Sequence, residues 1–494
     1  MTELKKYRMY INGEWVSARS GRTLNSINPS DGTPWATIPE ADEADVDDAV
    51  QAAHRAFKEG PWSTMTATER GKLLRRLGDL LSEHSETLGH FETVDTGKLF
   101  KETRWQARYI SDYFYYYAGL ADKVSGKTLP IDKPNVWAMT VREPLGVIAA
   151  IVPWNSQLFL VAVKIAPALA AGNTVVVKAS EHASASIMEF AKVFEKAGFP
   201  PGVFNVISGL GEPCGRALTQ HPLVDRISFT GGPDTARHVV RNSAENFAQV
   251  SLELGGKSPV VVFEDADLES ATNGILLSIF SASGQSCVAG SRLLLHASVH
   301  DEVLARVAEK AGRIKIGNPL DENSEMGPLA TLNQLEKIKS SVAEAQANGA
   351  NLIHGGQQPS GMGDGWYYEP TILTCPNQTL AIVQQELFGP VATVLRFESE
   401  RQAIDLANDT RFGLAAGIFT TDIGRALRVT KGIRSGIIWV NTYRMVSPLA
   451  PFGGFKDSGY GRESGLEAIY DYTRAKTVWF STAADSIADP FVMQ

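Results

Sequence analysis

The stretch Gly146-Val147-Ile148-Ala149-Ala150-Ile151-Val152-Pro153-Trp154-Asn155 decides the fold. It runs apolar, with no polar alternate, up to Pro153, the pattern of a strand buried on both faces. Outward from it the texture is strand, turn, helix, repeated. Leu158 to Ala170 reads as a helix, Asn173 to Lys178 as a second strand, and Ala183 to Ala197 as a helix stopped by Gly198. Val203 to Ile207 is a third strand and Arg226 to Phe229 a fourth, followed by Thr230-Gly231-Gly232 and a helix from Pro233. Strands alternating with helices of this length imply parallel βαβ units. A second alternation starts at Pro259-Val260-Val261-Val262-Phe263 and runs to about Trp439, so two α/β units are expected in series.

Upstream, Tyr10-Ile11-Asn12-Gly13-Glu14-Trp15-Val16 is two β-rich pieces about an Asn-Gly turn, a strong hairpin signal. A helix is expected near Asp45 to Phe57, with acidic residues in its first turn. The next opens with a capping box, Thr66-Ala67-Thr68-Glu69, before leucines at helical spacing. Tyr109, Tyr113, Tyr116 and Tyr117 also keep helical spacing. With no basic residues among them they read as core rather than as a platform for stacked bases.

With 494 residues, 44% of them hydrophobic and 21% charged, the chain has ample material for a core, and disorder is excluded as a description of the whole. Forty-seven basic against 55 acidic residues, net −8, leave no electrostatic footprint for nucleic acid. Three cysteines, Cys214, Cys287 and Cys375, make no disulfide framework, and no His/Cys spacing suggests a metal site. A reducing compartment follows. The N-terminus, Met1 to Tyr7, lacks the apolar core of a secretory signal. Asn155, Ser156, Gln157 and Lys164 interrupt the apolar run Val147 to Ala171, which rules it out as a membrane span. The expectation is a soluble, cytoplasmic protein.

Several residues stand where chemistry is possible. Gly209-Leu210-Gly211 begins a dinucleotide fingerprint, but Cys214 occupies the third glycine position. Phe229-Thr230-Gly231-Gly232-Pro233 is the better phosphate candidate, since paired glycines let the backbone approach a pyrophosphate at a helix N-terminus. Cys287 lies in the polar loop Ser283-Gly284-Gln285-Ser286-Cys287, accessible enough for a thiolate nucleophile; ordinary burial is the alternative. Glu253, between two leucines and before Gly255-Gly256, is either a general base with a raised pKa or a surface glutamate on an edge strand. Asn155, at the end of a buried strand, can donate to an oxyanion or brace a turn.

Together these pieces resemble the aldehyde dehydrogenase superfamily over essentially the whole chain. In order they are Pro153-Trp154-Asn155, Lys178-Ala179-Ser180-Glu181, Phe229-Thr230-Gly231, Glu253-Leu254-Gly255-Gly256-Lys257, Gly284-Gln285-Ser286-Cys287, Glu386-Leu387-Phe388-Gly389-Pro390 and Pro451-Phe452-Gly453-Gly454. The resemblance implies that Cys287 attacks the aldehyde carbon to give a thiohemiacetal. Asn155 and the Cys287 backbone N–H hold the oxyanion, hydride leaves for the nicotinamide, and Glu253 activates the water that hydrolyses the thioester. Lys164 and Glu463 resemble a pair that carries protons from the base, or else form a structural ion pair.

On the cofactor side the resemblance implies NAD, with NADP weaker. Lys178, Ser180 and Glu181 match the adenosine ribose site, and Glu386 and Phe388 the nicotinamide side. Trp154, Gly211, Phe229, Thr230, Gly231, Gly232, Leu254 and Gly255 lie where the rest of the cofactor passes. The aldehyde tunnel is implied by Ser156, Leu160, Val163, Ser286, Val288, Val446 and Phe452, several small or aliphatic where acetaldehyde-type enzymes carry aromatics. That favours medium, cyclic or branched aldehydes and speaks against betaine aldehyde, which needs an aromatic cage. Arg444 is either a surface arginine or a grip for the distal carboxylate of a semialdehyde. Departures from the family pattern are Ala179 for proline, Gly232 for serine and Ala282 for asparagine.

The implied fold is α/β: a Rossmann-like cofactor-binding domain (1–125 and 145–255), an α/β catalytic domain (256–456), and a small β oligomerisation extension (126–144 and 471–488). A homodimer or homotetramer is expected. The competing readings are a CoA-acylating enzyme, which Glu253 speaks against, and an inactive structural homologue.

Overall fold

The computed structural model describes residues 4–492, so the first three residues of the N-terminal stretch read above lie outside the described part. Val147–Ile151 is the central strand of an eight-stranded sheet, and all but its last residue are buried. Thr174–Ala179 and Phe204–Ser208 pair parallel on one side of it, Val224–Gly231 and Gln249–Leu254 on the other. The strand order therefore reverses between Val147–Ile151 and Val224–Gly231. In a doubly wound sheet the crevice at that reversal, outside the carboxyl ends of the strands, is where ligands bind. Pro153-Trp154-Asn155 and Gly231-Gly232 both leave the sheet there.

Local signals place the flanking elements. Gln157–Ala170 and Ala185–Ala197 form the crossover helices, the second closed by Gly198 in the left-handed conformation at φ 84°. Pro233 opens the helix Pro233–Asn242 at its first position, where its missing N–H costs nothing. The Asn12-Gly13 turn has both residues at positive φ and joins Met9–Ile11 to Glu14–Val16 as an antiparallel hairpin on the sheet's far edge. The helix Glu43–Lys58 is capped by Asp42 and Ala67–Glu83 by the reciprocal Thr66–Glu69 box.

The second sheet has seven strands around Pro259–Val262, Arg292–His296 and Ala415–Phe419, with only Asn351–His354 antiparallel. Successive residues of its central strand enter different cores: Val261 packs in one apolar cluster, Val260 and Val262 in another. Both faces are covered, which explains why the strand reads as continuously apolar.

Two features differ from the sequence reading. Gln249–Leu254 is not an edge strand, because Gly459–Tyr460 pairs antiparallel along its outer side. This also brings 459–460, beyond the expected catalytic segment, into the first sheet. In the third sheet Thr473–Ser481 pairs antiparallel with Val136–Pro144, which also holds Thr128–Leu129. No strand follows Ser481 among the described residues.

Candidate active site

A cavity of about 810 Å³ opens at the strand-order reversal, between the two large sheets. Cys287, Asn155, Glu253 and Glu463 all line it. Cys287 follows an unusual loop in which Ala282, Ser283 and Gly284 have φ of 53°, 53° and 71°. Three left-handed residues in a row persist only where the surroundings over-determine them. Here the Ala282 N–H donates to Glu102 Oε1 at 3.1 Å and Ser283 Oγ donates to the Gly327 carbonyl at 2.8 Å. A side chain at Gly284 would collide with the Gly389 carbonyl.

The Asn155 amide donates to the Gln285 carbonyl at 3.1 Å, tying the end of the central strand to the loop before Cys287. An amide nitrogen has two N–H groups, so one remains for a ligand. Burial, together with the carboxylates of Glu386 and Glu253, pushes the Cys287 thiol up to about 12. By contrast neither Cys214, which is buried, nor Cys375, half-buried like Cys287, lines the cavity. Among the described residues no His/Cys/Asp/Glu group has the arrangement of a metal site.

Glu253 is buried, and its two oxygens accept no hydrogen bond among the described residues. Desolvation first, then the neighbouring Glu463 carboxylate, raise its pKa well above the ordinary value; Lys164 and Arg462 act in the opposite direction. Lys164 is fully buried, reaches Glu463 and donates to Ser228 Oγ at 3.2 Å. It is the one expected catalytic residue that does not itself line the cavity.

The double glycine after Glu253 has a steric reason. The Gly256 N–H donates to Glu386 Oε1 at 2.9 Å, and a Cβ on Gly255 would overlap the same carboxylate. Burial raises Glu386 to about 7, against the Gly256 N–H and the charges of Lys337 and Lys257. Phe388, at φ 63°, meets Trp154 edge-to-face at 5.4 Å. Thr230, Gly231, Gly232 and Leu254 complete this side of the cavity. Lys178, Ser180, Glu181, Gly211 and Phe229 do not line it. Lys178 and Glu181 pair at 3.2 Å beside the end of Thr174–Ala179, and Gly211 follows Phe204–Ser208. Phe229 is buried and packs its ring over Gly231.

All eight residues expected around the substrate line the cavity: Ser156, Leu160, Val163, Ser286, Val288, Arg444, Val446 and Phe452. Arg444 is not a surface arginine. It is partly buried, at φ 62°, and its guanidinium donates to the Ser281 carbonyl at 3.0 Å.

The sequence reading missed one wall. Trp105, Tyr109, Tyr113 and Phe159 line the cavity in a continuous row, the first two stacked at 4.9 Å and the others meeting edge-to-face. Tyr109 also donates to the Val446 carbonyl at 2.9 Å. The cavity is therefore not poor in aromatics, and the argument against a quaternary cation loses its premise. A stripe at positions i, i+4 and i+8 of the helix Phe100–Leu120 was the available signal, but core and cavity walls share that period.

Residues 15–478 match the model of the aldehyde dehydrogenase family. The chain is 54% identical over 492 residues to the (Z)-2-((N-methylformamido)methylene)-5-hydroxybutyrolactone dehydrogenase of Acinetobacter baylyi, covering 99% of this chain and 100% of that protein. It is 41% identical over 476 residues to betaine aldehyde dehydrogenase of Bacillus subtilis, covering 96% and 97%. The crystal structure of betaine aldehyde dehydrogenase from Staphylococcus aureus in complex with NAD+ superposes with a TM-score of 0.96 at 40% identity, over 98% of this chain and 97% of that one. The chain belongs to the aldehyde dehydrogenase family and is an oxidoreductase acting on aldehydes.

Proposed function

We propose that the protein oxidises a medium, cyclic or branched aldehyde to its carboxylic acid with NAD, through a thioester on Cys287. The observation that carries this is the convergence of Cys287, Asn155 and Glu253 on one cavity whose other side is built by Gly231, Gly232 and Glu386. The cofactor side fits a dinucleotide. Thr230 Oγ1 is buried without a partner among the described residues, open space lies where a Gly232 side chain would stand, and the helix Pro233–Asn242 presents its N-terminal N–H groups. Trp154, Lys178, Ser180, Glu181, Gly211, Phe229, Thr230, Gly231, Gly232, Leu254, Gly255, Glu386 and Phe388 would hold it. Bound NAD supplies the hydride acceptor.

The chain's own groups do the rest. The Cys287 thiolate adds to the carbonyl carbon, and the Asn155 amide with the Cys287 N–H meets the developing oxyanion, a term of about 3–4 kcal/mol per donor. Loss of hydride leaves the acyl group on sulfur. Glu253, desolvated and therefore basic, takes a proton from the water that releases the acid, and Glu463 with Lys164 receives it.

The thiolate that must form before hydride transfer is the deprotonated form of a group whose pKa is raised. Activity is therefore gained as pH rises: log kcat/KM should climb from pH 6 to pH 8.5 with a slope near one. A flat steady-state profile over that window would refute the assignment.

Burial disfavours the Glu181 carboxylate, but the Lys178 ammonium, the residue's own backbone N–H and His182 together outweigh it and hold its pKa below the usual range. An ionised Glu181 repels a 2′-phosphate by about 1–4 kcal/mol at roughly 4 Å. Steady-state kinetics over a chemically varied aldehyde panel should show NAD favoured at least tenfold over NADP and bulky or cyclic aldehydes favoured over acetaldehyde. Equal kcat/KM for both cofactors, or a clear win for acetaldehyde, would overturn the corresponding half of the reading.

A semialdehyde is the second reading, favoured by the position of Arg444 in the cavity. A 5-hydroxybutyrolactone, the substrate type named for the Acinetobacter relative, is the ring-closed form of a 4-oxobutanoate, which carries an aldehyde and a carboxylate together.

We assign the unit boundaries as in the sequence reading, with 126–144 and 471–488 as an oligomerisation extension in a reducing, cytoplasmic setting. Thr473–Ser481 is a sheet edge, and Trp137, Trp479 and Phe480 are about half or more exposed. An apolar edge of that length needs a partner. Light scattering should give at least twice the mass of one chain; a monomer would contradict the assignment.

A further inference from the structure

Ser156 adjoins the oxyanion donor Asn155 and stands at the N-cap of the helix Gln157–Ala170, yet its side chain does not cap that helix. Its oxygen accepts instead from Lys98 Nζ at 2.5 Å. Lys98 is buried, and its Nζ also donates to Gln106 Oε1 at 3.0 Å. An ammonium has donors only, so each neighbour must turn an oxygen toward it. Ser156 and Gln106 both line the cavity. With one lone pair of each oxygen held by Lys98, the Ser156 hydroxyl hydrogen and the Gln106 NH2 are free to donate to whatever enters.

In each of these two residues Lys98 holds one acceptor lone pair of the oxygen and so turns that oxygen toward itself, while the donors are left free. The pair itself is uncharged. The Glu92 and Glu102 carboxylates oppose the fall in pKa that burial imposes on the ammonium behind it. Glu102 Oε1 is occupied by the Ala282 N–H. Arg444 belongs to a different part of the wall, held by the Ser281 carbonyl.

We infer that Ser156 and Gln106, set by Lys98, form a subsite that recognises a neutral carbonyl oxygen, of a ketone, amide or lactone, a few carbons from the reacting aldehyde. Lys98 is a positioning residue, acting through the other two. The inference rests on the aldehyde-oxidising reading and narrows its substrate class to oxo-substituted aldehydes.

The test compares 4-oxopentanal with pentanal, molecules of equal carbon count that differ in one carbonyl oxygen, by NADH formation in the wild-type holoenzyme and its variants. The wild type should favour 4-oxopentanal at least tenfold in kcat/KM, with the difference in KM. In Ser156→Ala that ratio should fall to threefold or less. Lys98→Met should lower it similarly, the double variant should lose little more, and Lys98→Arg should restore part of it. A purely structural role for Lys98 would depress both substrates together and leave the ratio intact, which would remove Lys98 from the proposal. Should Lys98→Met not fold, Ser156→Ala decides alone. A wild-type ratio below threefold, or one that survives Ser156→Ala, overturns the subsite. NADH from neither aldehyde would instead overturn the reading on which it rests.

Discussion

Replacing Cys287 with alanine is expected to lower aldehyde-dependent NADH formation by at least about 10⁴-fold, the scale seen when a covalent nucleophile is removed. Among the described residues the sulfur is the only thiol lining the cavity, and the loop before it is arranged to hold it there. Ala282 and Ser283 each spend roughly 1–3 kcal/mol on left-handed geometry. The hydrogen bonds to Glu102 and Gly327 fix that loop, and alanine keeps the backbone and Cβ that they position. The variant should therefore fold with an unchanged thermal midpoint and still bind NAD in a calorimeter, while losing turnover. It should also lose the stoichiometric adduct that iodoacetamide forms with the wild type. Residual turnover above about one per cent would mean that another group attacks the aldehyde. Ser286, adjacent in the same cavity, is the one to examine by a second substitution.

How much of the site is legible in the sequence depends on how local each signal is. Val147–Ile151 announced itself because a strand covered on both faces has no reason to alternate. The turn at Asn12-Gly13 and the Thr66–Glu69 box are settled within four residues. Glu253 was ambiguous because what buries it comes from far away: Gly459 pairs opposite it, and Glu463 and Lys164 supply its charge environment. Arg444 was ambiguous because its direction follows from a left-handed backbone that no neighbouring residue demands. The aromatic row reads as core, and is core, for a different reason: Tyr113 packs in the core while also facing the cavity, and Trp105 extends the row by one more turn toward the helix N-terminus. The bond from Lys98 to Ser156 spans 58 positions and joins two elements with no shared pattern. The family resemblance supplied roles for motif residues but not for these, since it transfers only where the motif is matched.

Glu253→Gln separates the two halves of the chemistry. Deacylation needs a base for water, whereas formation of the thioester needs the thiolate, Asn155 and a hydride acceptor. The variant should give a burst approaching one NADH per active site, followed by a steady state roughly 10²–10⁴-fold slower than wild type. Mass spectrometry of protein quenched after the burst should find Cys287 carrying the acyl group, and hydroxylamine, which needs no general base, should restore turnover. The amide keeps the shape of the carboxyl and removes a charge that burial and Glu463 both penalise, so the fold should be no less stable. If Glu253 served chiefly to deprotonate Cys287, the burst itself would be cut back, because the thiol, held near 12 by burial, would keep only the Glu386 carboxylate close by to take its proton. The burst amplitude thus distinguishes a base that acts on water from one that acts on sulfur.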